Sequence, residues 1–382
     1  MIYFDHNAST PVRPEVSALL VEAFRAAPTH PGNASSVHQG GREARTRLDR
    51  ARAMVAQLLG AEPREVVFTG SGSEADALAL KGAFFARADR SRNRIVLSRI
   101  EHPAVRLAAA QLSLEGAEVV EVSPGPDGRL RAEEVIAQLD QRTLLCSLML
   151  ANNETGVLQP VNEVARACRE RGVLFHVDAV QAVGKVPVTL REVHADLLAI
   201  SGHKFGAPLG VGVLVVRRGL QVASVIPGNQ ENGLRGGSSN VVYAEALALA
   251  LALAVQELPG ESARLATLRD RLEQEVLRRI PQVSVNGAGA PRIPNTTNLK
   301  FDGADGESLL IALDLEGICV SAGAACSSGS VNPSPVLSAM GLRPQDALAS
   351  LRFSLGGTTT GEEVERVVET LVRQVPSARS PG

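Results

Sequence analysis

The chain has 382 residues, enough for two or three domain-sized units, and its 39 basic and 41 acidic side chains leave a formal net charge of -2. That balance lacks the basic footprint of a nucleic-acid binder. Hydrophobic residues at 45% with scattered charges exclude a disordered chain, and aromatics at 3% with no Trp require a core built mainly from Ala, Val and Leu.

From the N-terminus, MIYFDHNAST has no basic stretch followed by an apolar one, so no signal peptide is expected. Short Val/Ile/Leu-rich runs then alternate with helical stretches from Val66 to about Arg217. The runs are EVVFT, RIVLS, AEVVEV, LLCSLML, VLFHVDA, LLAIS and GVGVLVV. Strand–helix alternation of this kind predicts a mostly parallel sheet covered on both faces, with ligands at the carboxyl ends of its strands.

The first run leads into Gly70-Ser71-Gly72-Ser73 and a helix. Ser71 and Glu74 fit a capping box, and a glycine-lined helix start offers N–H groups to a phosphate. A capped helix with no ligand fits the same residues, and GxxxxGK[ST] and the third glycine of GxGxxG are both absent. The second run is followed by His102, placed to cover a cofactor ring or move protons. His6, His30, His38, His176 (within a strand) and His194 are assigned to structure or surface. Val161–Arg171, opened by Pro160 and closed by Gly172, predicts an amphipathic helix.

The strand VLFHVDA ends in Asp178, with Gln181 a short turn later. A carboxylate there either caps the turn or pairs with a cation such as a protonated pyridine nitrogen. In AISGHKFGAPLGVG a buried strand runs into Ser201-Gly202-His203-Lys204. A lysine there either begins a loop exposed to water or is costly unless something uses or pairs its charge, and an aldehyde cofactor would use it as a Schiff base. The apolar stretch Ala246–Val255 is shorter than the roughly 20 residues of a membrane span and reads as a buried helix.

Pro259-Gly260 predicts a break before a charged helix, Glu261 to about Ile280, and a separate α+β unit. The expected division is a large domain over 14–258 and a small one from 1–13 and 259–382. Ser321–Val331 (SAGAACSSGSV) is nearly all small residues with Cys326 at its centre, and predicts a mobile loop carrying an accessible nucleophile. Cys146, Cys168 and Cys319 lie in apolar or helical settings and read as packed. The four cysteines form no CxxC or zinc-like spacing, so no metal is expected, and they point to a reducing cytoplasm. The Pro/Ser/Gly tail after Val375 is expected to fray.

Taken together, GxxxEADxLALKG, EHxAV, NNETGV (Asn152–Val157), HVDAVQAVGK, SGHKFGxPxGVG, Arg235–Ser238 and GAACSSG resemble cysteine desulfurases, in order, from Tyr3 to about Val372. The loop around Cys326 is similar to the longer-loop subgroup that serves iron–sulfur cluster assembly. The resemblance implies the α/β fold of fold-type I pyridoxal 5'-phosphate (PLP) enzymes and a homodimer with sites at the subunit interface. It implies Lys204 as the Schiff-base lysine, His102 on the ring, Asp178 at the pyridinium nitrogen and Gln181 at the ring hydroxyl. Gly72, Ser73, Ser201 and His203 would hold the phosphate, with Ser238 reaching in from the second subunit. Asn153 and Arg352 would grip the carboxylate of L-cysteine, the guanidinium matching it in two hydrogen bonds. Lys204 or His102 would take the Cα proton, and Cys326 would take the sulfur as a persulfide for an acceptor protein.

The chain departs from the family pattern at Ala77, where Asn is frequent, and at Ser238, where Thr is commoner. Its short C-terminus puts docking to a cluster scaffold in doubt. Selenocysteine lyases and other class V relatives are the nearest alternatives. A dinucleotide oxidoreductase fails on the missing glycine, and a non-catalytic scaffold would not need to keep both the lysine and the cysteine. Neither nucleic acid nor membrane is expected as a partner.

Overall fold

The computed structural model describes residues 1–27, 32–322 and 332–379. The chain opens with β1 (Ile2–Tyr3), α1 (Pro14–Ala26) and α2 (Gln39–Leu58). There follow β2 (Val66–Thr69), α3 (Gly72–Ala86), β3 (Arg94–Ser98), α4 (Pro103–Leu114), β4 (Glu118–Val122) and α5 (Ala132–Ala137). Next come β5 (Thr143–Met149), α6 (Val161–Glu170), β6 (Leu174–Asp178), α7 (Leu190–Val193), β7 (Leu197–Ser201) and β8 (Gly212–Val216).

The seven apolar runs are the seven strands of one sheet, ordered β2-β8-β7-β6-β5-β3-β4. Strands β4, β3, β5, β6 and β7 pair parallel, whereas β8 runs antiparallel to both β7 and β2. The link from β7 to β8 is too short to hold a crossover helix, so the chain turns back on itself there. Strands β2, β5, β7 and β8 are buried at every residue, which explains their unbroken apolar runs. One face carries Phe68, Val96, Phe175 and Ile200 against α2 and α6; the other carries Val67, Ile95, Leu145 and Leu214 against α3 and α4.

The chain continues with α8 (Val241–Arg279), β9 (Val283–Val285), β10 (Thr296–Phe301), α9 (Gly306–Leu315) and β11 (Ile318–Cys319). It ends with α10 (Pro335–Ala339), α11 (Pro344–Leu348), β12 (Ser350–Ser354) and α12 (Gly361–Arg379). An antiparallel sheet, β12-β10-β9, and the parallel pair β1-β11 share a core of their own. Ile2, Phe4, Leu272, Phe301, Phe353 and Leu371 meet there. The N-terminal strand therefore belongs with the last third of the chain.

Two sequence expectations fail here. No break occurs at Pro259-Gly260, because α8 runs through both. Pro259 withdraws the hydrogen bond to the Val255 carbonyl, but both residues are exposed, so water can replace that bond. The apolar first half of α8, including Ala246, Leu247, Ala250 and Leu251, is buried in the core of the large sheet. The tail also does not fray at Val375. Helix α12 continues to Arg379, Asp305 N donates to Ala378 O (2.9 Å), and Arg379 Nη2 donates to the carbonyls of Pro281 and Gln282 (2.8 and 3.0 Å). These contacts across the chain outweigh the weak local propensity of PSAR.

Candidate active site

Five strands deliver side chains to one edge of the large sheet. Strand β2 hands over to Gly72 and Ser73, β3 to His102, β5 to Asn153, β6 ends in Asp178 and β7 ends in Ser201, just before Lys204. With Gln181, His203 and Arg352 from β12, these line a cavity of about 520 Å³ at the carboxyl ends of the parallel strands. A second cavity of about 600 Å³ lies around Arg169, Leu174 and Arg217, at the opposite ends of β6 and β7, and contains none of these residues.

Lys204 sits on a single 3-10 turn, Gly202–Lys204, directly after β7. Its Nζ donates to Asn7 O (2.6 Å) and Ala8 O (3.0 Å), and no carboxylate pairs with it among the described residues. Burial, then the Arg352 charge, pushes its pKa down to about 8, so a useful fraction is a neutral, nucleophilic amine near neutral pH. The neighbouring His203 is pushed down to about 4 by burial and then by Lys204.

Asp178 ends β6 with Oδ1 accepting from Val180 N (2.9 Å). Among the described residues no lysine or arginine bonds to it, and burial, then the Asp76 carboxyl, raises its pKa to about 7. Asp76 is itself raised to about 8 by burial, and Glu101 is raised well above the carboxylate range for the same reason. His176 lies beneath, with Nδ1 2.8 Å from Ser147 Oγ and Nε2 3.5 Å from Asp76 Oδ1. A buried carboxyl on a cavity without a cationic partner fits a ligand that brings a cation, as a pyridinium does.

At the start of α3, Ser71 Oγ accepts from Glu74 N (3.1 Å), as the capping box predicts. The Glu74 carboxylate, however, reaches Gly70 N (2.8 Å) and Arg235 Nε (2.7 Å) instead of the cap residue's own N–H. The N–H groups of Gly72 and Ser73 have no acceptor within the helix. A Cβ on Gly72 would come within 2.9 Å of Ser201 Cβ and Val180 Cγ2, so only glycine lets the backbone approach there. The result is an anion seat beside Ser73, Ser201 and His203. Anion seat, amine and unpaired carboxyl line a single cavity, and that set suits PLP.

On the far side, Arg352 Nη2 donates to Asp5 Oδ1 (2.6 Å) and Nη1 to Asn153 O (3.1 Å), while its buried Nε has no partner among the described residues. His102 is the N-cap of α4, its Nδ1 accepting from Ala104 N (3.1 Å). Burial lowers its pKa. A neutral ring so bonded carries its proton on Nε2.

Every described residue assigned to the site by sequence lines the cavity except Ser238, which is exposed on the segment before α8. Cys326 lies outside the described residues. The chain on both sides of it reaches the cavity, however. Ser321 pairs with Arg352 through both backbone bonds (3.2 and 2.7 Å), and Pro335 and Val336 are part of the lining. Cys146 and Cys168 are fully buried. Sequence reasoning missed Asn7, Asp5, Asp76 and Glu101. Asp76 carried a signal, a lone charge on the apolar face of a helix; Asn7 carried none, because its place depends on the N-terminus folding back.

The aminotransferase class-V family model matches residues 2–367. A curated relative named cysteine desulfurase, from Trichormus azollae, is 42% identical over 382 residues, covering 100% of this chain and 94% of the relative. A solved structure described as a NifS-like protein superimposes with a TM-score of 0.90 at 33% identity, covering 98% of this chain and 99% of that one. Another, described as SspA in complex with cysteine, gives a TM-score of 0.81 at 30% identity, covering 93% and 99%.

Proposed function

The chain belongs to the aminotransferase class-V family, and we infer from its site and its relatives that it is a cysteine desulfurase that uses PLP to convert L-cysteine to L-alanine. The observation that carries this reading is a half-buried lysine that shares one cavity with the buried Asp178, neither having an oppositely charged side chain bonded to it among the described residues.

When bound, PLP supplies an electron sink for the charge that develops at the substrate Cα. Lys204 would hold it covalently, Asp178 and Gln181 would hold its ring with His102, and Gly72, Ser73, Ser201 and His203 would hold its phosphate. Ser238 is exposed and away from the cavity of its own chain, which supports its delivery to a second copy in a homodimer. Arg352 and Asn153 would bind the substrate carboxylate, which takes over the guanidinium from Asp5. We assign the Cα proton to Lys204. The Ala104 N–H occupies His102 Nδ1, so the neutral imidazole has its hydrogen on Nε2 and presents a donor there, with no free lone pair.

Cys326 would take the sulfur as a persulfide. The C–S electron pair stays with the carbon fragment, which leaves as alanine once protonated. Cys326 is five residues from Ser321, a span of at most about 18 Å of extended chain. That reach, from an anchor bonded to Arg352, supports access to the substrate. The division into a large unit over 14–258 and a small one from 1–13 and 259–382 belongs to the same proposal, with the boundary inside α8. So does a cytoplasmic role supplying an acceptor protein for iron–sulfur cluster or other sulfur-containing cofactor synthesis.

The test uses the purified holoenzyme, L-cysteine and a thiol reductant, with alanine and sulfide both measured. Equal amounts of the two are expected. Cys326→Ser should keep the visible absorbance of bound PLP and its change on adding cysteine, and lose nearly all sulfide release. Undiminished release by that variant would remove Cys326 from the reaction.

A further inference from the structure

The turn after β6 holds a charged residue with no role in the reaction as described. Lys185 is 6% exposed. No carboxylate bonds to it among the described residues, and the charged groups around it, Lys204 and Arg352, are cations of its own sign. Burying an ammonium in such company is costly, and a methionine or leucine would fill the space without that cost. What Lys185 has and they lack is a set of N–H donors. Among the described residues both of its hydrogen bonds go to one residue, Gln181: Nζ donates to Oε1 (2.8 Å) and to the backbone carbonyl (3.1 Å).

The other end of that amide is equally constrained. Gln181 Nε2 donates to Asn7 O (2.9 Å), and a carbonyl oxygen can only accept. Asn7 O is also one of the two acceptors of Lys204. The Asn7 carbonyl on one side and the Lys185 amine on the other thus fix which end of the Gln181 amide is nitrogen and which is oxygen, holding Oε1 on Lys185 and leaving a second N–H on Nε2 for the cavity. An unrestrained glutamine could offer either end. This matters because the PLP ring bears an ionisable oxygen, and an N–H held against it favours the ionised form, whereas a carbonyl would oppose it.

We propose that Lys185 is a positioning residue that locks the Gln181 amide so that it presents an N–H, never its carbonyl, to the ring oxygen of PLP. The inference rests on the cofactor reading above, and the two fail separately.

The experiment titrates the visible absorbance of the PLP-loaded wild type, Lys185→Met, Gln181→Met and the double variant against pH, without substrate. Loss of the held donor should move the midpoint of the colour change up by about one pH unit in Lys185→Met, the shift expected for one hydrogen bond. Gln181→Met should move it similarly, and the double variant no further than Gln181→Met alone, because Lys185 acts through Gln181. A wild-type midpoint in Lys185→Met overturns the proposal. So do additive shifts in the double variant, which would mean that Lys185 acts through its charge. Should Lys185→Met fail to fold, Lys185→Arg, which keeps the donors, must keep the wild-type midpoint, and a shift of a full unit there overturns the proposal. Absence of any visible band in the loaded wild type overturns the cofactor reading, and this inference with it.

Discussion

Lys204 and Asp178 stand out in the sequence by their place at the ends of apolar strands, and burial then tunes the chemistry of each. Desolvation favours the neutral form of both, so the amine drops to about 8 and the carboxyl rises to about 7. The two shifts bring both groups close to neutral pH. A consequence can be measured on the apo chain. PLP is captured by the neutral amine, and that fraction grows with pH until it saturates above the lysine's own pKa. The rate at which apo protein develops visible absorbance with PLP should therefore rise about tenfold per pH unit up to about 8 and then level. A rate still climbing at pH 10 would mean an ordinary solvated lysine.

Among the elements, α8 shows local preference overruled by packing. Its 39 residues include Pro259 and Gly260, both poor helix residues, yet the helix continues because its first half is buried against the large sheet and Leu272 and Val276 are buried in the other core. The cost remains at the exposed midpoint. Pro259→Ala should restore the bond to the Val255 carbonyl and stabilise the protein by about 1–3 kcal/mol. Gly260→Ala, where an added Cβ meets nothing within 4 Å, should contribute about 0.5–1 kcal/mol more. Both are read from the midpoint of urea unfolding. A destabilised Pro259→Ala would show that the local kink is needed to join the two cores.

In the whole molecule, the last turn of α12 ties the C-terminus to α9 and to the segment before β9. Removing residues 376–382 deletes the Ala378 and Arg379 bonds, far along the chain from any cavity residue. The truncated protein should lose about 1–3 kcal/mol of stability, seen as a lower melting temperature. Its sulfide release at 25 °C with a small thiol reductant should stay close to that of the full chain. Lost activity with an unchanged melting temperature would place the tail in the reaction.

How much could be read in advance follows from the range over which each interaction acts. Seven apolar runs named the seven strands of the large sheet, because burial on two faces marks nearly every residue of the inner strands, while the partly buried edge strand β4 kept the Val119-Val120 pair and Val122. His102, Asp178 and Lys204 could be found for a related reason: each follows directly on such a run, and a polar group at a buried strand's end stands out locally. Cys326 stood out through the small residues on both sides of it. Only the tertiary structure could decide the rest. Asn7 holds Lys204 from 197 residues away in the chain, Asp5 occupies Arg352 from 347 away, and Lys185 has meaning only through the amide it faces. The continuity of α8 through Pro259 and of α12 through Pro376 was likewise set by distant partners. Hydrophobic periodicity acts over a few residues and is written locally in the sequence, whereas hydrogen bonds and desolvation at the site depend on what the folded chain brings beside each group.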